Sequence, residues 1–233
     1  MPIYTPVSAG QDFCLHCLRT LVKAYKKGGA AVWRESPLTI RCVFEAGRAT
    51  RCAQCIKRKD ICEPTTPAML GDAADLVAIL AWLRGFYVYE DADEGEYSAE
   101  LRHAIGELTI DLVNSFENCE KECRKGHHLA GAKKTKASFL QAYEVFLAGR
   151  RDLALRAWPY PRGAAGDDPI LVAKWKNGQL LRLLAGDPAA SAWRIAKEAF
   201  YGALVNHVMI EVGADSPVDG EVEEVMEEFP VDI

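Results

Sequence analysis

Six of the chain's eight cysteines lie within the first 62 residues, and their spacing constrains this region more than any other feature. Four of them form two C-x-x-C pairs, each of which places two sulfurs on one tight turn. Because a tetrahedral zinc ion with Zn–S bonds of about 2.3 Å takes four ligands, two such pairs can complete its coordination shell. The spacing predicts a Zn²⁺ site, and its candidate ligands are Cys14, Cys17, Cys42, Cys52, Cys55 and Cys62.

The sequence around these cysteines favours metal-bound thiolates over disulfides. The opening MPIYTPVSAG has neither the basic nor the apolar region of a secretory signal. The longest apolar run, Leu76 to Leu83, is much shorter than the ~20 residues needed to cross a bilayer. We therefore expect an intracellular protein, nuclear or cytoplasmic, in a reducing compartment and with no membrane partner.

Charge is divided unequally along the chain. Residues 1–62 contain 11 Lys/Arg and 4 Asp/Glu, a formal +7, whereas the remaining residues contain 17 and 29, a formal -12. Residues 211–233 contain 9 acidic residues and no Lys or Arg. This asymmetry suggests a polyanion-binding head and an acidic tail. The alternative is that head and tail only keep the protein soluble or neutralise each other.

Apolar periodicity predicts an all-α fold, in which a small zinc-cluster module precedes a body of about five or six helices. A short amphipathic helix follows Cys17 and is stopped by Gly28-Gly29. Further helices are predicted at 69–86, at 98–123 with Ser98 as N-cap, and near 137–149. Two more are predicted to begin at the pairs Asp168-Pro169 and Asp187-Pro188, where an N-cap precedes a proline.

Prolines and composition divide the chain into three parts. Residues 1–66 are predicted to form the zinc-binding cysteine module, which ends around Pro64 and Pro67. Residues 67–213 are predicted to form an α-helical domain, and residues 214–233 an acidic C-terminal tail. Acidic and hydrophobic residues alternate in that tail, as in disordered activation segments, but an ordinary solvated C-terminus has the same composition.

The run from Arg51 to Pro64, RCAQCIKRKDICEP, resembles the second half of the fungal Zn₂Cys₆ binuclear cluster. The order of the six cysteines and the C-x₂-C-x₆-C spacing of that half match the family pattern. The first half departs from it, because 24 residues separate Cys17 from Cys42 where the family has about six. The resemblance covers about residues 14–64, and it implies a fungal source.

The resemblance also implies a ligand arrangement. In that family the first and fourth cysteines bridge two metal ions, which would make Cys14 and Cys52 the bridges and the other four cysteines terminal ligands. The spacing alone leaves a rival open, in which one ion is held by the two C-x-x-C pairs and Cys42 and Cys62 are small buried residues.

In the resembled family, the helix after the second cysteine enters the major groove of DNA while nearby Lys and Arg contact phosphates. Here the positions after Cys17 are poor in base-reading groups, so the basic residues are better suited to phosphate contact. A solvated helix face is the alternative for the same side chains. The candidate nucleic-acid-binding residues are Arg19, Lys23, Lys26, Lys27, Lys57, Arg58 and Lys59.

A second constellation, Cys119, Cys123 and His127, occurs at i, i+4 and i+8 and would share one helix face. The two cysteines also continue an apolar stripe, so burial as small hydrophobes is the alternative to a second metal site. No nucleophile elbow, phosphate loop or H-E-x-x-H motif occurs, and a zinc ion saturated with thiolates has no position for water. We expect no enzyme.

Together these features predict a zinc-dependent nucleic-acid-binding or transcription-regulatory protein. In the alternative, the zinc cluster is purely structural and the helical body binds a protein partner.

Overall fold

The computed structural model is helical, and no strand occurs in the part of the chain that it describes. That part comprises residues 13–28, 40, 42–43, 51–63, 65–87, 97–128, 145–146, 148–150 and 181–213. Its helices are α1 (Leu15–Gly28), α2 (Ala53–Arg58), α3 (Leu70–Leu83), α4 (Ala99–Gly126) and α5 (Ala190–Val212). Short 3₁₀ turns, Pro67–Met69 and Arg84–Phe86, flank α3, and the described residues within 145–150 are also helical. The all-α prediction is confirmed.

Helix α4 is the long central helix of the described body. Its predicted N-cap is confirmed, since the Ser98 hydroxyl accepts a hydrogen bond from the Leu101 backbone N–H at 3.0 Å. Its apolar stripe is buried from Leu101 through Phe116 and continues to Cys123. Along much of its length α4 packs against α5, with Phe116 meeting Trp193 edge-to-face at 5.3 Å between ring centroids. No helix among the described residues is long and apolar enough to span a bilayer.

Helix α3 is tied to residues 181–184 by backbone and carboxylate contacts. The Gly71 backbone N–H donates to the Leu181 carbonyl at 2.8 Å, and the Leu183 N–H donates to the Asp72 carboxylate at 2.9 Å. Arg182 donates two hydrogen bonds to Asp75, at 2.7 and 3.0 Å. These contacts hold residues 181–184, an irregular segment, along α3.

The predicted start of α5 was wrong by a few residues. Asp187 does not cap the helix, which begins at Ala190 after a residue, Ala189, with a φ of 70°. The Asp187 carboxylate is instead held by the Leu184 backbone N–H and by the side chains of Arg150 and His127. Because tertiary partners occupy the carboxylate, residues 185–189 form turns rather than a first helical turn.

Several predictions lie outside the described residues. These are the Asp168-Pro169 helix start, most of the helix near 137–149, and the acidic tail at 214–233.

One hydrophobic core includes residues from both sides of the predicted boundary at 66/67. Phe13 and Leu18 are buried in the same cluster as Leu76, Phe116 and Leu204. Phe13 meets Phe116 edge-to-face at 5.7 Å between centroids, and the Tyr25 hydroxyl donates to the Glu107 carboxylate at 2.5 Å. Helix α1 therefore lies along α4 as part of the body's core, while the division into separate domains stays a prediction.

Candidate metal centre

The two C-x-x-C pairs begin their helices in the same way. Cys14 immediately precedes α1, and its Sγ accepts a hydrogen bond from the Cys17 backbone N–H at 3.4 Å. Cys52 is the N-cap of α2, and its Sγ accepts from the Cys55 N–H, also at 3.4 Å. A sulfur at a helix N-terminus is stabilised as a thiolate by the helix dipole and by these amides. The sequence folds locally so that one sulfur of each pair is placed for metal binding.

The remaining two sulfurs are brought to the same place from the connecting segments. The Cys14 backbone N–H donates to Cys42 Sγ at 3.2 Å, and the Cys52 backbone N–H donates to Cys62 Sγ at 3.4 Å. A hydrogen bond from the Ala53 N–H to the Val43 carbonyl, 2.8 Å, holds the chain after Cys42 against the start of α2. The backbone N–H of the cysteine that begins each C-x-x-C pair therefore holds the sulfur of one further cysteine, Cys42 or Cys62, beside that pair.

The six sulfurs fall into two overlapping groups of four. In each group all sulfurs lie within 4.8 Å of one another, and Cys14 and Cys52 belong to both groups. Cys17 and Cys42 complete the first group, and Cys55 and Cys62 complete the second. The single-ion alternative built from the two C-x-x-C pairs is not one of these groups, and Cys42 and Cys62 are only partly buried.

The sulfur separations suit a tetrahedral ion. Sγ of Cys14 lies 3.8 Å from Cys52 and 3.7 Å from Cys55, and Cys17 lies 3.6 Å from Cys52. Tetrahedral coordination with Zn–S bonds of about 2.3 Å requires S–S separations of about 3.8 Å. A disulfide would bring two sulfurs to about 2.05 Å, and all eight cysteines are free thiols. The donor set and its geometry fit a soft divalent metal such as zinc.

The electrostatics of these sulfurs point in the same direction. A hydrogen bond from the Cys42 side chain, together with the Cys17 N–H, lowers the pKa of Cys14 to about 4 against the opposing effect of burial. Burial and the neighbouring Cys14 sulfur raise the pKa of Cys17 to about 12, and burial raises the pKa of Cys62 to about 12. Negative charge on one sulfur thus disfavours ionisation of its neighbours, and a cation bound among them would favour the thiolate form of all of them.

Neither the other cysteines nor the histidine of the first pair joins a metal group. The ligand atoms of Cys119, Cys123 and His127 do not converge, since both thiols are buried in the core and His127 Nε2 lies 3.0 Å from Asp187 Oδ1. Burial raises the pKa of Cys123 to about 12, as expected for a small hydrophobe. His16 Nε2 faces Asp60 at 3.0 Å rather than the sulfurs.

Six of the seven predicted nucleic-acid-binding residues are exposed on the outer side of the module. Three follow one another at the end of α2 and three lie in the second half of α1. Arg58 Nη1 lies 3.5 Å from the Thr20 hydroxyl, so the end of α2 adjoins the middle of α1. We call this set the basic face: Lys23, Lys26, Lys27, Lys57, Arg58 and Lys59.

Arg19 does not belong to the basic face. Its guanidinium is held by Glu63 at 2.7 Å and by Glu117 of α4 at 2.7 Å. Arg124 of α4 also reaches Glu63, at 3.3 Å, and pairs with the buried Glu120. Arg19 therefore links the module to the body, and its role in nucleic-acid binding stays a prediction. Sequence reasoning missed Glu63 and Glu117 because isolated acidic residues carry no spacing signal.

The position that reads bases in the resembled family is covered here. Leu18, directly after the second cysteine, is 0% exposed in the core shared with α4. With Arg19 paired beside it, the first turn of α1 presents no free side chain that could enter a groove. Among its described residues, the module exposes the positive charge of the basic face, while Leu18 is covered.

Comparison with known proteins identifies no relative. No protein-family model matches the chain, and neither a curated protein nor a solved structure shows a significant match.

Proposed function

We propose that this chain is a zinc protein in which six thiolates hold two Zn²⁺ ions, and that its basic face binds nucleic-acid phosphates in a nuclear regulatory role. The observation that carries the proposal is the division of six sulfurs into two tetrahedral-sized groups that share Cys14 and Cys52. This is the bridging arrangement implied by the resemblance to the Zn₂Cys₆ family. Two ions with four ligands each require eight sulfur contacts, and two shared sulfurs make six cysteines sufficient.

The zinc would be structural in this reading. Each ion is saturated by four sulfurs, so neither has an open position for water or substrate. Between residues 51 and 63, the only buried residues are Cys52 and Cys55. A segment with so little apolar burial depends on metal binding for its folding, on the order of 10 kcal/mol for a structural zinc ion.

Phosphate binding without base readout is supported by what the module exposes and what it covers. The basic face is solvent-exposed, whereas Leu18 and Arg19 are engaged with the body. Lysine contacts to phosphate release counterions and carry no sequence information. The supported activity is therefore salt-sensitive binding to nucleic acid of any sequence, through the backbone.

A second candidate has its own support. Because α1 packs on α4, the cluster fixes the longest helix among the described residues, as expected if zinc is purely structural and the body binds a protein partner. A two-zinc protein without affinity for DNA even at low salt would favour this candidate over the first.

Zinc stoichiometry with cysteine variants tests the metal assignment. We expect two zinc ions per chain by elemental analysis, both lost in a bridging variant, Cys52→Ser, and about one retained in a terminal variant, Cys62→Ser. Cys119→Ser is the matched control and keeps both ions, because its sulfur lies in neither group. A ratio of one zinc per chain in the wild type would contradict the binuclear cluster.

Fluorescence polarisation with an unrelated DNA duplex tests the basic face. The variant Lys57→Gln, Arg58→Gln, Lys59→Gln should make the negative slope of log affinity against log salt shallower by about 2.7, at about 0.9 per phosphate contact. The control removes the same charge from exposed body positions, Lys121→Gln, Lys125→Gln and Arg194→Gln, and leaves the slope unchanged. Equal losses in both variants would reject the basic face as the binding site.

A further inference from the structure

The cysteine module exposes apolar side chains next to its positive charge. Val43, Ile56 and Ile61 are 65%, 51% and 84% exposed. The hydrogen bond between Ala53 and Val43 places Val43 beside α2, which carries Ile56 and is directly followed by Lys59. Phosphate contact uses the lysines but gives these apolar side chains no partner. A surface that is both cationic and apolar suits an anionic, apolar peptide.

This chain contains a peptide of that chemistry. Residues 214–233 contain eight Asp or Glu and no Lys or Arg. Their apolar residues recur at 222, 225, 226 and 229, the spacing that gathers side chains on one face of a helix, with glutamates in between. The segment therefore matches both properties of the module's outer surface.

The described part of the chain also shows where this segment begins. The Glu211 carboxylate accepts hydrogen bonds from the Ser98 N–H at 2.6 Å and hydroxyl at 2.7 Å, so α5 ends beside the N-terminus of α4. Helix α1 runs opposite to α4, since Tyr25 meets Glu107 and Arg19 meets Glu117. The lysine-bearing end of α1 thus lies towards the end of α4 at which the tail leaves the body.

The distances are within reach of a 20-residue segment. Along α4, Glu107 lies about 14 Å from Ser98 and Glu117 about 29 Å, at about 1.5 Å per residue. A segment of this length spans at most about 66 Å when it is fully extended. Both the end of α1 and the more distant α2 are therefore accessible to the tail of the same chain.

We propose that residues 214–233 bind intramolecularly to the basic face and its neighbouring apolar residues, Val43, Ile56 and Ile61. A tethered segment is present at a millimolar effective concentration and competes with any external polyanion. This inference gives the regulation of the site in the proposed function: the tail reduces nucleic-acid binding and favours ligands that can displace it.

Zero-length carbodiimide cross-linking of the full-length, zinc-loaded protein tests the contact without any nucleic acid. We expect amide bonds in the monomer between Lys57 or Lys59 and the glutamates at 221–228, found by peptide mass spectrometry and lost at high salt. The Lys121–Glu117 pair, 2.8 Å apart, is the internal control for reactivity. Control cross-links without tail cross-links, or tail cross-links confined to dimers, would overturn the intramolecular contact.

A matched pair of full-length variants tests the consequence for binding. Glu224→Gln, Glu227→Gln, Glu228→Gln should bind an unrelated DNA duplex about tenfold more tightly at low salt, because the tethered competitor is weakened. Glu100→Gln, Glu122→Gln, Glu198→Gln removes the same charge from the exposed body and should change affinity much less. Equal effects would overturn regulation by the tail. If no variant binds DNA, the proposed function fails, and the cross-links still decide the tail contact.

Discussion

The cysteine module and the helical body are held together by different means. In the body, Leu76, Ile105 and Phe116 are buried in one apolar core that also includes α5. In the second half of the module, the buried side chains of residues 51–63 are those of cysteines, and the nearby isoleucines are exposed. Helix α1 takes part in both, because Cys17 faces the sulfurs while Leu18 faces α4. In residues 51–63, contacts between sulfurs thus take the place that apolar contacts have in the body.

Metal removal should separate the two regions most strongly. After chelation we expect the backbone amides of α2 to lose all protection from hydrogen exchange. The reason is that zinc binding, which contributes on the order of 10 kcal/mol to the folding of this segment, is then absent. Amides of α4 and the Leu18–Tyr25 part of α1 should stay protected, since their contacts are apolar. Unchanged protection of α2 in the metal-free protein would show that the module does not depend on metal for its folding. Readdition of zinc should release protons, because thiols ionise on binding.

Core truncation is the second largest expected effect and acts on the body. Phe116→Ala should lower the free energy of unfolding by about 3–5 kcal/mol, because Phe116 packs between Phe13 and Trp193. The control, Ile56→Ala in the exposed part of the module, should change it by no more than about 0.5 kcal/mol. Denaturant unfolding of the zinc-loaded protein measures both. A comparable cost for the two variants would show that the module depends on apolar packing as well.

Acid should act on the two regions with opposite sign. Burial raises the pKa of Asp72 from 3.8 to about 6, so the folded protein holds a proton there that the unfolded chain has lost. This contribution to stability is full below pH 3.8 and is lost as the pH rises through about 6. Asp72→Asn keeps an acceptor for the Leu183 N–H and should be more stable than wild type at pH 7.5 by about 1–3 kcal/mol.

The advantage of Asp72→Asn should shrink to nothing towards pH 4, as measured by denaturant midpoints of variant and wild type in the same buffers. An advantage that does not change with pH would contradict the raised pKa. In the module, lower pH protonates thiolates and releases zinc, so acid destabilises the module. At Asp72 in the body, acid has the opposite effect.

The smallest expected effects separate Arg19 from Lys57. Arg19→Ala should cost about 1 kcal/mol or less, because its ion pairs with Glu63 and Glu117 are partly exposed, and it should leave the salt slope of DNA binding unchanged. Lys57→Ala should leave stability unchanged and make that negative slope shallower by about 0.9. A weaker salt dependence of DNA binding in the Arg19 variant would show that Arg19 contacts phosphate.

The elements that sequence predicted well are those determined by local pattern. Ser98 caps α4 because its hydroxyl needs only the amide three residues later, and the i, i+3, i+4 stripe from Leu101 to Phe116 defines its own buried face. Cysteine spacing likewise indicated the metal site, since each C-x-x-C pair forms its turn from four consecutive residues.

The elements that sequence did not predict depend on partners far along the chain. Asp187 has the composition of an N-cap, but Arg150 and His127 take its carboxylate. Arg19 has the composition of a phosphate contact, but Glu63 and Glu117 hold it. Neither competition is visible in a local window, because the partners come from 37 to 98 residues away along the chain. The Cys14–Cys52 sharing is likewise a tertiary property, which only the resemblance suggested.

If the sulfur cluster holds zinc, the lifetime of this protein in a cell would depend on zinc supply through the module. A ligand that binds only the folded form stabilises it by RT ln(1 + [L]/Kd). Since α1 contributes Cys17 to the sulfur cluster and Leu18 to the core, loss of zinc would loosen the module at the Cys17 end of α1 while the Leu18 side stays packed on α4. A cell short of zinc would hold this chain in a looser form that its proteases remove, and replenishment would raise its level without new transcription.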